Sequence, residues 1–242
     1  MCADSVASAI AAERGGAARV ELCSGLSEGG LTPSAGLIEL TRAAVPIPVH
    51  VMIRPRGGDF YYDEDEFRTM QGDIALAKNL GADGIVAGVL DLNGNVDVKG
   101  MRALVDLARP LTVTFHRAFD MTADIFRALE DACAAGIDRV LTSGGERTAI
   151  EGQETIERLV KASAGRIVIM AGSGIKPENA RGLIERTGVG EIHVGLRSMI
   201  PSSMLHRNPR ITLGAVEGRE YQHFGVLQAD VARLCRAIAE PA

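Results

Sequence analysis

The chain has 242 residues, 46% hydrophobic and 24% charged, with a formal net charge of −5. That apolar content excludes disorder, and no glycine period is present for a collagen helix. A mildly acidic chain with 4% aromatics and no Trp lacks the field of a duplex binder, the stacking platforms of a single-strand binder, and any run near the ~18 apolar residues of a membrane span. Neither nucleic acid nor membrane is expected as a partner. Met1-Cys2-Ala3-Asp4-Ser5 has no basic region followed by an apolar stretch, so no secretory signal is read and the expected compartment is the cytoplasm. Four widely spaced Cys make no disulfide framework and are expected as reduced thiols.

In chain order, a helix is predicted from Ser5 to Arg14 with Asp4 as its N-cap. The next starts at Thr32-Pro33, a cap followed by Pro at the first helical position. Others follow at Asp63–Leu80, Val98–Ala108, Asp124–Ala135, Glu151–Ser163, Lys176–Thr187 and Ala229–Glu240. A repeat punctuates them: Gly, a small or branched residue, two variable positions, then a branched residue. It occurs at Gly16, Gly81, Gly136 and Gly188, at spacings of 65, 55 and 52 residues. Each copy ends a helix, where a left-handed glycine is the common cap, and opens a strand.

Three further strands lie between the copies, at Pro48–Ile53, Leu111–His116 and Arg166–Met170. That makes seven. An eighth must precede the first helix, and only Met1-Cys2-Ala3 is left for it. Eight βα units of about 30 residues each are the size of a (β/α)₈ barrel. With no linker or low-complexity tract in sight, the expected fold is α/β, one TIM-type barrel domain over residues 1–242 with a short or truncated first strand.

Strand side chains alternate between the barrel interior and the helix layer. One parity is apolar. The other carries Glu21 and Cys23, then His50, Met52 and Arg54, then Thr112, Thr114 and His116, and finally His193. Buried charges cost several kcal/mol unless paired or used. Two readings stay open: an internal ion-pair network, with Glu21 against Arg54 or Arg19, or a binding or catalytic cup at the strand C-terminal ends. In the second, His116 would be the acid/base and Glu21 a second carboxylate base, acting on a small phosphorylated or carboxylated metabolite.

The loops add candidate anion ligands. Arg54 and Arg56 flank Pro55 before Gly57-Gly58. Gly172-Ser173-Gly174 follows the seventh strand just before a helix, and Arg197 follows the eighth. Glycine turns at a helix N-terminus expose backbone N–H groups, and barrels commonly seat phosphate there. A tight turn that simply needs glycine is the alternative.

Cys133 and Cys235 fall on apolar helical stripes and read as small core residues. Cys2 and Cys23 end neighbouring strands. Two inward thiols at one level could share one soft ion, and two thiolates suit Cu(I); the alternative is two buried thiols with no ligand. Arg54 or His116 nearby would favour thiolate.

The stretches Val20-Glu21-Leu22-Cys23-Ser24, Val51 to Phe60 (VMIRPRGGDF), Thr114 to Asp120 (TFHRAFD) and Val140-Leu141-Thr142-Ser143-Gly144 resemble the CutC copper homeostasis family. The resemblance runs from Cys2 to about Asn208. It implies a TIM-type barrel, a cytoplasmic homo-oligomer (dimer or tetramer), and copper handling with Cys2 and Cys23 as the matching thiols.

Overall fold

The computed structural model describes residues 1–213 and 220–239. Eight strands run parallel in sequence order: β1 (Cys2–Ala3), β2 (Val20–Leu22), β3 (Val49–Met52), β4 (Gly84–Ala87), β5 (Thr112–Phe115), β6 (Arg139–Thr142), β7 (Val168–Gly172) and β8 (Glu191–His193). The Cys2 N–H donates to the Val194 carbonyl at 2.9 Å, which brings β8 back to β1. The fold is therefore the expected (β/α)₈ barrel, closed through a first strand only two residues long.

The outer layer holds α1 (Val6–Arg14), α2 (Ala35–Ala44), α3 (Glu64–Asn79), α4 (Val98–Ala108), α5 (Ile125–Ala134), α6 (Gln153–Ser163), α7 (Pro177–Thr187) and α8 (Gln228–Ala239). Two expected caps move. Ser5, not Asp4, caps α1, its hydroxyl accepting the Ser8 N–H, and Ser34 caps α2 by accepting from Leu37. Thr32 is spent elsewhere: its hydroxyl accepts the Arg54 N–H at 2.9 Å and ties two loops together. Glu240, the expected end of α8, lies outside the described residues.

The repeated glycines behave as the helix-to-strand joint requires. Gly16, Gly81, Gly136 and Gly188 have φ of +97°, +81°, +79° and +73°, a region that costs a side chain about 1–2 kcal/mol. One feature is absent from the sequence reading. Between β8 and α8 the chain forms an antiparallel pair, β9 (Ser198–Pro201) with β10 (Gln222–Gly225).

The apolar parity packs outward as expected: Val20, Leu22, Val49, Val51, Ile85, Val113, Phe115 and Val140 join the helices in one buried cluster. The polar parity faces inward. At the N-terminal end, Glu191 accepts from Arg19 and Arg139 at 2.6 Å each. Burial opposes the Glu191 charge, but these two guanidinium groups hold its carboxyl at about 2. Arg19 therefore neutralises Glu191, and Glu21 takes a different partner.

Candidate functional site

Register places Cys2 beside Glu21 across the β1–β2 ladder. β2 and β8 flank β1 on either side, and their inward side chains meet across it: His193 Nε2 lies 3.1 Å from Glu21 Oε1. Burial opposes the Glu21 charge, but His193 beside it holds the carboxyl at about 2. The expected partners Arg19 and Arg54 are engaged elsewhere.

The Cys2 and Cys23 sulfurs are 3.3 Å apart, with the residues 7% and 0% exposed. They share a small apolar cluster with Met52 and Val86, against which Leu26 packs. The ligand atoms of Cys2, Glu21 and His193 all lie within 4.8 Å of one another; Cys23 is not in that group. The hydrogen-bonded Cys2 thiol and burial push the Cys23 thiol up. Cys23 is therefore held as the neutral thiol, and neither Arg54 nor His116 draws it toward thiolate.

His116 follows β5 and caps the short helical turn Arg117–Met121. Its Nδ1 accepts the Ala118 N–H at 3.2 Å. This bond places the proton of the neutral ring on Nε2, and that buried N–H meets no acceptor. Gly88 makes room for the ring, since a Cβ there would stand 2.5 Å from His116 Cε1. Burial, then Arg54, lowers the His116 pKa to about 4. Deeper in the barrel, His50 Nε2 lies 3.2 Å from Thr112 Oγ1, and burial, then Arg19 and Arg139, also brings its pKa to about 4.

These rings predict an acid-labile fold. Unfolded histidines take up protons below about 6.5, while the buried rings stay neutral until about 4. Stability fully present above pH 6.5 is thus lost as the pH falls toward 4. Each ring removes about 2 kcal/mol between pH 6.5 and 5. Urea midpoints from pH 7.5 to 5 read this loss, and a flat profile would refute it.

The other candidates separate. Arg54 is 5% exposed and lines the cup, but its guanidinium donates to the carbonyls of Glu28, Gly30 and Gly58 and lies 4.9 Å from the Phe60 ring centroid. Only Nε is left without a partner. Arg56 is outside the cup, bonded to Glu66, Asp59 and the Tyr61 carbonyl. Arg197 lines the cup, stands 5.0 Å from the Phe224 ring centroid and has no carboxylate partner among the described residues. Gly172 ends β7, and Ser173 and Gly174 continue it along the cup wall with φ of +79° and +71°. Cys133 and Cys235 sit half-buried on α5 and α8.

Cys2, Glu21, Met52, Arg54, His116, His193, Arg197 and the Ser173–Gly174 turn line one cavity of about 710 Å³ at the C-terminal ends of the strands. Sequence reasoning put His193 and Met52 in the interior but not among the site residues, and it missed Lys176. The parity of β3 carried the signal for Met52.

The CutC family model matches residues 1–198. A human relative, "Copper homeostasis protein cutC homolog", is 48% identical over 240 residues, covering 99% of this chain and 88% of the human protein. A CutC family protein of Xylella fastidiosa is 51% identical over 211 residues, 87% of this chain and 79% of its own. The crystal structure of CutC from Streptococcus agalactiae superposes with a TM-score of 0.76 at 35% identity, covering 80% of this chain and 95% of that one.

Proposed function

The chain belongs to the CutC family, and we propose that it serves copper homeostasis by holding one Cu(I) ion between Cys2 and Cys23. The observation that carries this reading is the buried sulfur pair, 3.3 Å apart at the barrel mouth. Two metal–sulfur bonds of roughly 2.2–2.3 Å span at most ~4.5 Å, so the pair is within reach of one ion and reaches linear coordination when the sulfurs part by about 1 Å. The chemistry favours a soft ion of low coordination number. A tetrahedral ion would need Glu21 and His193 together with both sulfurs, yet Cys23 stands outside the group that Cys2 forms with them. The Met52 thioether and the apolar wall suit Cu(I), which water and oxygen destabilise. His193, with a ring nitrogen within 4.8 Å of the Cys2 sulfur, offers a further ligand from the Cys2 side.

Such a pair stays reduced only in a reducing compartment, which supports a cytoplasmic location. The segment joining β9 and β10 exposes Met204, Leu205, Ile211 and Leu213, with Leu205 96% exposed. This supports a homo-oligomer, to be read as a mass multiple in sedimentation.

Anaerobic titration against a Cu(I)-specific chelator tests the reading. About one Cu(I) per chain is expected, lost after alkylation of the thiols. Failure to compete with the chelator, or equal competition by the alkylated protein, would sink it.

A further inference from the structure

The cavity of about 710 Å³ is far larger than one copper ion requires, and its wall formed by the loops after β7 and β8 is built differently. The turn after β7 anchors its carbonyls and leaves its N–H groups free. The Ser173 carbonyl accepts from Ala149, Ser173 Oγ donates to the Arg147 carbonyl, and the Gly174 carbonyl accepts from Asn179. Among the described residues, the N–H groups of Ser173, Gly174 and Ile175 find no acceptor, nor do those of Gly195, Leu196 and Arg197 after β8. The first set lies just before α7, whose N-terminus adds its positive dipole end. Lys176 and Arg197 are exposed and make no ion pair among the described residues. The carboxylates on this wall are engaged: Glu178 pairs with Arg233 at 3.7 Å and Asp230 accepts from Ser198 at 3.2 Å.

A second observation is independent of that wall. His116 is 4% exposed and lines the same cavity, its Nε2–H held by the Ala118 bond as a donor without an acceptor. A buried donor left unpaired costs about 1–3 kcal/mol, and a ligand oxygen would relieve it.

We propose that the cup binds a small phosphate monoester. The dianion sits on the N–H groups of Ser173–Ile175 and Gly195–Arg197, between the charges of Lys176 and Arg197, as barrels seat phosphate after their last two strands. The organic end carries an oxygen acceptor to His116 Nε2. This site uses no copper ligand, so it stands or falls apart from the copper reading.

Calorimetry on the metal-free full chain tests it, with glycerol 3-phosphate and inorganic phosphate as probes and chloride at equal ionic strength as the control. One glycerol 3-phosphate per chain is expected. Lys176→Gln and Arg197→Gln should each weaken both probes about tenfold, the size of one lost charge-assisted contact. Both side chains are exposed, so folding should be retained. His116→Phe should weaken glycerol 3-phosphate and spare inorganic phosphate. No binding at millimolar probe, or binding unchanged in the Lys176→Gln, Arg197→Gln double variant, overturns the proposal. Cu(I) titration of the same double variant should be unaltered, which separates the two sites.

Discussion

Asp120→Ala is expected to lower the unfolding free energy by about 3–5 kcal/mol, the cost of leaving several buried donors unsatisfied at once. The Asp120 side chain is 5% exposed and takes the Arg117 Nε–H at 2.8 Å. It also accepts the N–H groups of Ser143 and Gly145 and the hydroxyls of Thr142 and Ser143. Alanine leaves the Ser143 and Gly145 N–H groups and the Thr142 hydroxyl without that acceptor and the Arg117 guanidinium without its carboxylate, while the Ser143 hydroxyl keeps the Glu146 carbonyl. Asp120→Asn keeps the shape but turns one accepting oxygen into a donor, so about half the loss is expected. Urea denaturation reads both. An alanine variant as stable as the parent would show that the network contributes nothing. The tie fixes the loop after β5 to the loop after β6, and the first of these carries His116. A softened loop should therefore also blur the His116 donor position.

Asp120 shows where sequence reasoning stops. It stands in the recognisable stretch after His116, but its acceptor role depends on residues 22–25 positions downstream that only the β5–β6 pairing brings near. The barrel itself was legible because it rests on local rules: glycine at each helix end, and period-two alternation within each strand. The same alternation placed Glu21, His116 and His193 in the interior. It could not say which interior group meets which. Glu21 pairs with His193 because both point inward from the two strands that flank β1, whereas the sequence pointed to Arg19 or Arg54. Two arginines beside two glycines read as anion ligands, yet Arg54 holds loop carbonyls together and Arg56 folds back on Glu66. A guanidinium serves carbonyl and phosphate equally well, so composition cannot separate these uses. The β9–β10 pair escaped because nothing in its composition distinguishes it from a loop.

Cys2→Ser and Cys23→Ser should each weaken Cu(I) binding by more than about a thousandfold, roughly 4 kcal/mol. A serine hydroxyl is a hard donor that stays protonated near neutral pH, so either change leaves one soft ligand where linear coordination needs two. Cys133→Ser and Cys235→Ser lie on α5 and α8, away from the mouth, and should bind as the parent does. His193→Ala should cost about tenfold, as a third ligand beside an intact thiol pair. The pH dependence has a definite sign. Burial and the paired sulfur keep Cys23 protonated at rest, and copper must displace the thiol protons. Affinity should therefore rise with pH, by up to about 100-fold per unit while two protons leave for each ion. Copper bound at a carboxylate or imidazole site instead would rise far less steeply above pH 7, because those groups have already lost their protons. Chelator competition at pH 6, 7 and 8 on the parent and the four cysteine variants reads both the ligand set and the proton count. Unchanged affinity in Cys2→Ser and Cys23→Ser, with a flat profile across that range, would move the copper ion away from the sulfur pair.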